Sequence, residues 1–243
     1  MYLHISKVFF LLLFSFNLMN EHSLHSEIKK WYSRPGDSFE RRVDGFVIDI
    51  VRGTLLIEVQ TGNFSAIKKK LAALIENHEV RLVYPIPELK YLVQVDNSGE
   101  VISRRKSPKR GKLVDLFLEL VSIPTFISEE NFSLEVLMIE EEEIRCNDGK
   151  GSWRRRGASI KDRRLLRVTG SISFRSERDF LRFLPVDMGV LFTNRKLARD
   201  SGISISLAQR ITYCLRKNGI IIRTRRIGKE MEFQRIIYGS HVP

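Results

Sequence analysis

Residues 44–64 read DGFVIDIVRGTLLIEVQTGNF. Two extended runs, about 41–51 and 54–61, meet at a turn on Arg52-Gly53, which is the signature of a β-hairpin. The second run is strongly apolar at Leu55-Leu56-Ile57 and then reaches Glu58 and Gln60. Side chains alternate across a strand, so that carboxylate and that amide share one face. An apolar strand that ends in two polar groups on one face is either a solvated hairpin end or a site.

Working outward, Leu24, Ile28 and Trp31 lie at helical spacing and precede the break Arg34-Pro35-Gly36-Asp37. After the hairpin, Asn63 or Ser65 can cap a helix whose Ile67, Leu71, Leu74 and Ile75 form one apolar stripe, with Lys68, Lys69 and Lys70 mainly off it. VRLVYPI (80–86) reads as a buried strand, and YLVQVD and EVISRR flank a turn at Asn97-Ser98-Gly99. Helix, hairpin, helix, strand and further strands describe a mixed sheet with helices packed on it.

Asp44 lies fourteen residues before Glu58 and can reach the same end of the hairpin as Glu58 and Gln60. Two carboxylates there would make a hard oxygen site for Mg²⁺ or Mn²⁺, suited to activating water against phosphorus. The pattern D-x(13)-E-x-Q, with a helix before it and a helix and buried strand after it, resembles the PD-(D/E)xK nuclease superfamily. Its layout over about residues 19–105 is most similar to archaeal Holliday-junction resolvases. The resemblance implies that Asp44 and Glu58 are metal ligands, with the Val59 carbonyl a third, and that Gln60 occupies the usual lysine position. Asp49 is the rival for Asp44, should a bulge alter the register. An acidic residue on the first helix, Glu21 or alternatively Glu27, would complete such a site. An amide at position 60 can hold a water but offers only a dipole to the transition state, where a lysine offers charge.

The chain of 243 residues carries 41 Lys and Arg against 29 Asp and Glu, a formal charge of +12 that favours a polyanionic partner. SRRKSPKRG (103–111) places Arg104, Arg105, Lys106, Lys109 and Arg110 around Ser107-Pro108 as phosphate contacts. GSWRRRGASIKDRR (151–164) adds a second cluster with Trp153 inside it. Between them, KLVDLFLELV reads as helix and FSLEVLMIEEEEIR as strand, with Glu140 to Glu143 a solvated strand end. No internal repeat and no phosphate-binding glycine loop is present. Cys146 and Cys214 are too few for a disulfide framework or a zinc site of usual spacing.

Toward the C-terminus, a short helix capped by Thr193 and a second helix over 206–221 burying Leu207, Ile211 and Leu215 read as helix-turn-helix. IIRTRR and EMEFQRII then flank Ile227-Gly228-Lys229 as a basic wing. On such a module Gln209, Arg210 and Lys217 would face the major groove, and Arg223, Arg225 and Arg226 would meet phosphates. The apolar run from Val8 to Met19 is short for a membrane span and lacks a small-x-small cleavage site. Translation from Met19 accounts for it, and an uncleaved anchor is the alternative.

The expected fold class is therefore α/β: a restriction-endonuclease-like mixed sheet flanked by helices over 19–105, a basic connecting region over 106–176, and a winged helix-turn-helix domain over 177–243. Residues 1–18 are a start-site over-extension or an apolar leader. The expected function is Mg²⁺-dependent hydrolysis of DNA in the cytoplasm, with no small-molecule cofactor and no membrane partner. A non-catalytic DNA-binding regulator, its nuclease-like unit serving as scaffold or homodimer interface, is the competing class.

Overall fold

The computed structural model describes residues 23–236. The expectations for residues 1–18 and for Glu21 lie outside that range. Helix α1 (Ser23–Tyr32) leads into β1 (Ser38–Val43), β2 (Phe46–Arg52) and β3 (Leu55–Val59), an antiparallel meander. Helix α2 (Phe64–Ile75) then crosses over to β4 (Val80–Val95), which runs parallel to β3. The mixed sheet is seven-stranded, in the order β1-β2-β3-β4-β6 (Phe132–Cys146)-β7 (Ser159–Phe174), with β5 (Val101–Lys106) paired to the far half of β4.

The first extended run is two strands rather than one. Asp44 and Gly45 adopt positive φ (49° and 83°), and the chain reverses there to pair Val43 with Phe46. Asp-Gly is a strong two-residue hairpin turn, since both positions of that turn require φ above zero.

The sheet also does not stop near residue 105. The segment expected to be a basic connection supplies α3 (Phe117–Leu120), β6 (Phe132–Cys146) and β7 (Ser159–Phe174). Strand β6 pairs with β4 in parallel from Val80↔Phe132 to Val95↔Cys146, which makes it a central strand. Its acidic run is correspondingly not a solvated end. Glu141 and Glu143 are buried, and Lys90 bridges both at 2.8 Å. The alternation that hides Leu137 and Ile139 thus carries Glu141 and Glu143 inward on the same face, where Lys90 of β4, with Arg145 on Glu143, offsets their charge.

Pro85 and Pro87 interrupt β4 without ending it. The Val83 carbonyl accepts from Gln60 N–H on the β3 side, and by alternation Pro85 and Pro87 turn their nitrogens the same way. Strand β3 has ended by then, so the missing N–H groups leave no ladder bond unmade. A bulge between Pro87 and Leu89 follows, and Gly111 N–H takes up the Pro87 carbonyl.

The C-terminal part is β8 (Leu191–Thr193), α4 (Asn194–Asp200), α5 (Ile205–Lys217), β9 (Ile221–Ile227) and β10 (Glu230–Arg235), with the strands in the order β8-β10-β9. Thr193 and Ser204 cap the two helices through Lys196 N–H and Leu207 N–H. One continuous apolar core joins this unit to the sheet: Leu207, Ile211 and Leu215 belong to the same cluster as Phe117, Leu120, Phe126 and Phe132. A second cluster, Leu24, Ile28 and Tyr32 of α1 with Ile50, Ile57 and Val59, covers the other face. Among the described residues no helix is long and apolar enough to cross a membrane.

Candidate functional site at the β2–β3 divergence

The ladder between β2 and β3 runs from Arg52↔Leu55 to Ile50↔Ile57 and goes no further. Beyond it, Asp49 turns its carboxylate into the gap and Oδ2 accepts from the Val59 N–H at 2.8 Å. A side chain thus takes the place of a backbone carbonyl in the ladder. Glu40, opposite on β1, has φ 51°, so the irregularity crosses two strands. Ile48 packs in the core on the α2 side while Ile50 packs against α1, a change of face that falls at Asp49 and Glu40 with the β1–β2 register unshifted on either side.

Two helices close on this gap. From α1, His25 Nε2 lies 2.7 Å from the Val59 carbonyl oxygen and 3.2 Å from Asp49 Oδ2. Lys29 Nζ lies 2.6 Å from Glu40 Oε1 and 3.7 Å from Asp49 Oδ1. From α2, Lys70 Nζ lies 2.6 Å from Glu58 Oε1 and also donates to the Val47 carbonyl. The start of α2 is fixed by Glu119, whose Oε2 accepts from Phe64 N–H at 3.1 Å; Asn63 makes no side-chain cap.

The electrostatics follow from burial and charge. Burial, with the Asp49 charge added, pushes the Glu58 carboxyl up to about 7 against the pull of Lys70. Burial also works against Asp49, but His25, the Val59 N–H and Lys29 outweigh it and hold that carboxyl below its ordinary range. One carboxylate is therefore firmly ionised, and its neighbour exchanges a proton near neutrality. Chemically, the pair can bind a hard cation or pass a proton. Among the described residues no group of three or more His, Cys, Asp or Glu could hold a metal ion by itself.

The expected site residues fall as follows. Glu58 is buried at the gap, and the Val59 carbonyl points to His25. Asp44 is not beside them: it is exposed in the β1–β2 turn, with Oδ2 2.7 Å from His78 Nε2. The carboxylate whose charge acts on Glu58 is the rival, Asp49. Gln60 gives its amide N–H to the Gly62 carbonyl and so is spent on its own loop. Glu27, the alternative helix residue, accepts from Leu165 N–H of β7 at 2.5 Å, while His25 occupies the position toward the site. No sequence pattern marks His25 or Lys70: Lys70 is one of three adjacent lysines off an apolar stripe, and only the path of α2 distinguishes it.

Of the expected phosphate contacts, Arg104, Arg105 and Lys106 are exposed on β5, and Lys109 and Arg110 are exposed in the following loop. Arg104 lies over the Tyr91 ring at 3.8 Å and pairs with Glu142. Gln209 and Lys217 are exposed on α5 together with Ile205 and Tyr213, a stripe at four-residue spacing. Arg210 is off that stripe, half-buried, with Nη1 3.4 Å from the Leu118 carbonyl. Arg223, Arg225 and Arg226 are exposed on β9, where Arg225 pairs with Glu232 at 3.1 Å.

Among known proteins, a protein of Treponema pallidum (strain Nichols) described as "Uncharacterized protein" is similar to this one: 31% identical over 207 residues, spanning 84% of this chain and 81% of its own. No solved structure matches. Residues 22–175 match the family described as Domain of unknown function (DUF8091), a span that runs from α1 through the end of β7 and contains the whole β2–β3 divergence. The chain belongs to that family.

Proposed function

We propose that this protein is a metal-dependent DNA nuclease of the restriction-endonuclease-like kind, with its centre at the β2–β3 divergence and a C-terminal winged helix that binds the duplex. The observation that carries the reading is the placement of Asp49 and Glu58 on neighbouring strands where their ladder stops, one firmly ionised and one shifted to about 7. The order helix, three antiparallel strands, helix, parallel strand supports it, because it sets both carboxylates at one point between two helices.

Two carboxylates and the Val59 carbonyl are hard oxygen donors of the kind Mg²⁺ takes, and Mg²⁺ retains several waters, so a small donor set fits it. Bound there, Mg²⁺ would polarise a phosphoryl oxygen and lower the pKa of a bound water. Lys70 places an ammonium beside Glu58, in the role that Gln60 cannot fill as a neutral amide. His25, between the Val59 carbonyl and Asp49, holds both in position. The winged-helix reading rests on β8, α4, α5 and the β9–β10 hairpin, whose exposed arginines suit phosphates.

A second reading has its own support. Lys70 already pairs with Glu58, and His25 and Lys29 lie against Asp49, an arrangement equally suited to a DNA-binding scaffold without catalysis. Incubating the protein with single-stranded, duplex and branched DNA, with and without Mg²⁺ or Mn²⁺, separates the two. Cleavage that needs metal and is lost in Glu58→Gln, with DNA binding retained, supports the nuclease. DNA binding without cleavage of any form with either metal assigns the scaffold.

A further inference from the structure

The loop that joins β6 to β7 holds Trp153 83% exposed, the most exposed aromatic side chain among the described residues. An indole normally buries most of its surface, so a loop with slack would fold it back. This loop has none. Gly151 N–H bonds the Gly157 carbonyl at 2.8 Å, Arg156 N–H the Trp153 carbonyl at 2.9 Å, and Ala158 N–H the Arg155 carbonyl at 3.0 Å. Asp148 ties the base, accepting from Lys150 N–H, the Ser159 hydroxyl and Lys161 Nζ. A Cβ at Gly151 would lie 1.8 Å from the Ala158 carbonyl oxygen, so that position admits only glycine.

The loop therefore holds the indole out, and cations surround it. Lys150, Arg154 and Arg156 are exposed, and the Arg154 guanidinium stands over the indole at 5.5 Å. A planar π face flanked by cations fits a nucleobase with its phosphates, because stacking serves any base and the cations meet the backbone. Bases inside a continuous duplex offer no free face. An unpaired base, or the terminal pair at a duplex end, does. No other large apolar side chain is exposed in this loop, which leaves little to insert into a bilayer.

Position adds a second constraint. Val59 pairs with Val83 and Cys146 pairs with Val95, so the tip lies beyond the candidate centre by at least the Val83 to Val95 stretch of β4. Those twelve residues span at most about 40 Å. That is at most about 12 base pairs at 3.4 Å per step. Exposed Arg105 and Lys106 on β5 and Arg164 on β7 lie along the interval.

We propose that Trp153, with Arg154 and Arg156, stacks on an unpaired base, so that the substrate is DNA in which duplex meets single strand. This rests on the DNA-binding reading above and names its substrate class. The test uses fluorescence anisotropy on the full chain with three labelled probes: a continuous circular duplex without ends, a single strand, and a duplex carrying a single-stranded overhang. Wild type should prefer the overhang probe, and Trp153→Ala should weaken that binding roughly tenfold while leaving continuous-duplex affinity and the thermal midpoint unchanged. Trp153→Phe, which keeps a π face, should restore most of the loss. Equal affinities for all three probes, or a Trp153→Ala variant unchanged on the overhang, overturns the stacking proposal and leaves DNA binding standing. Failure of wild type to bind any probe overturns both. Binding to vesicles of anionic lipid that is lost in Trp153→Ala, without preference among the DNA probes, assigns the tip to a membrane surface instead.

Discussion

Lys70 Nζ of α2 stands 2.6 Å from Glu58 Oε1 of β3, across the gap between a helix and a strand. A positive charge beside the buried carboxylate is supplied from the following helix, and residue 60 is free to fasten the loop through the Gly62 carbonyl. If the site is catalytic, Lys70 is the residue that offers charge to the developing transition state.

Lys70→Met should therefore lower the cleavage rate by on the order of a hundredfold while leaving DNA affinity unchanged, since charge stabilisation acts on the chemical step. Gln60→Ala should cost far less. Single-turnover cleavage and anisotropy on the same preparations check both. A Gln60→Ala loss equal to that of Lys70→Met would return the role to residue 60.

The two aspartates separate in the same assay. Asp49 lies in the gap with its carboxylate on the Val59 N–H, whereas Asp44 is a turn residue paired with His78. Asp49→Asn should abolish cleavage and leave binding intact. Asp44→Asn should leave cleavage within about twofold of wild type, because surface changes away from the chemistry are small. A loss in Asp44→Asn with activity kept in Asp49→Asn would reverse the assignment.

Much of this arrangement was readable in the sequence. The helix before the hairpin, the strand ending in Glu58, the helix carrying Leu71, Leu74 and Ile75, and the Thr193 cap all stand where periodicity and capping place them. One departure is of turn chemistry: Asp44-Gly45, within an extended run by pattern, closes the β1–β2 turn. A second is of burial. The run Glu140 to Glu143 looks like solvated surface until Lys90 and the β4–β6 pairing are in place, which bury Glu141 and Glu143. No local pattern announces a parallel pairing between strands this far apart, and none marks which of three adjacent lysines turns toward Glu58.

A buried amide adds to the apolar core in fastening the C-terminal unit. Asn218, 6% exposed, donates to the Pro124 and Cys214 carbonyls at 2.6 and 2.7 Å and accepts from the hydroxyl of exposed Ser128 at 3.0 Å. Asn218→Ala removes the donor to two buried carbonyls and should cost about 1–3 kcal/mol. Because the apolar core is continuous from α5 to β6, unfolding should remain one transition, shifted to lower urea. Far-ultraviolet dichroism and tryptophan fluorescence, followed together, would separate into two curves if the C-terminal unit were an independent module.

Glu58 gives the pH dependence its sign. Burial, with the Asp49 charge, raises its carboxyl from 4.5 to about 7 in the folded chain, so between those values the folded protein holds a proton that the unfolded chain has released. Stability then falls as pH rises through this window and levels off above about 7. The full shift corresponds to at most roughly 3 kcal/mol, and water reaching the gap lowers that figure. Glu58→Gln keeps the neutral shape and cannot ionise, so the stability difference between variant and wild type should widen from pH 5 to pH 7 and then hold constant. Urea midpoints measured in chelator, from pH 5 to pH 8, follow the difference directly. A difference that does not change with pH would mean that Glu58 is already ionised near pH 5, held so by Lys70, and that no proton is exchanged at this site near neutrality.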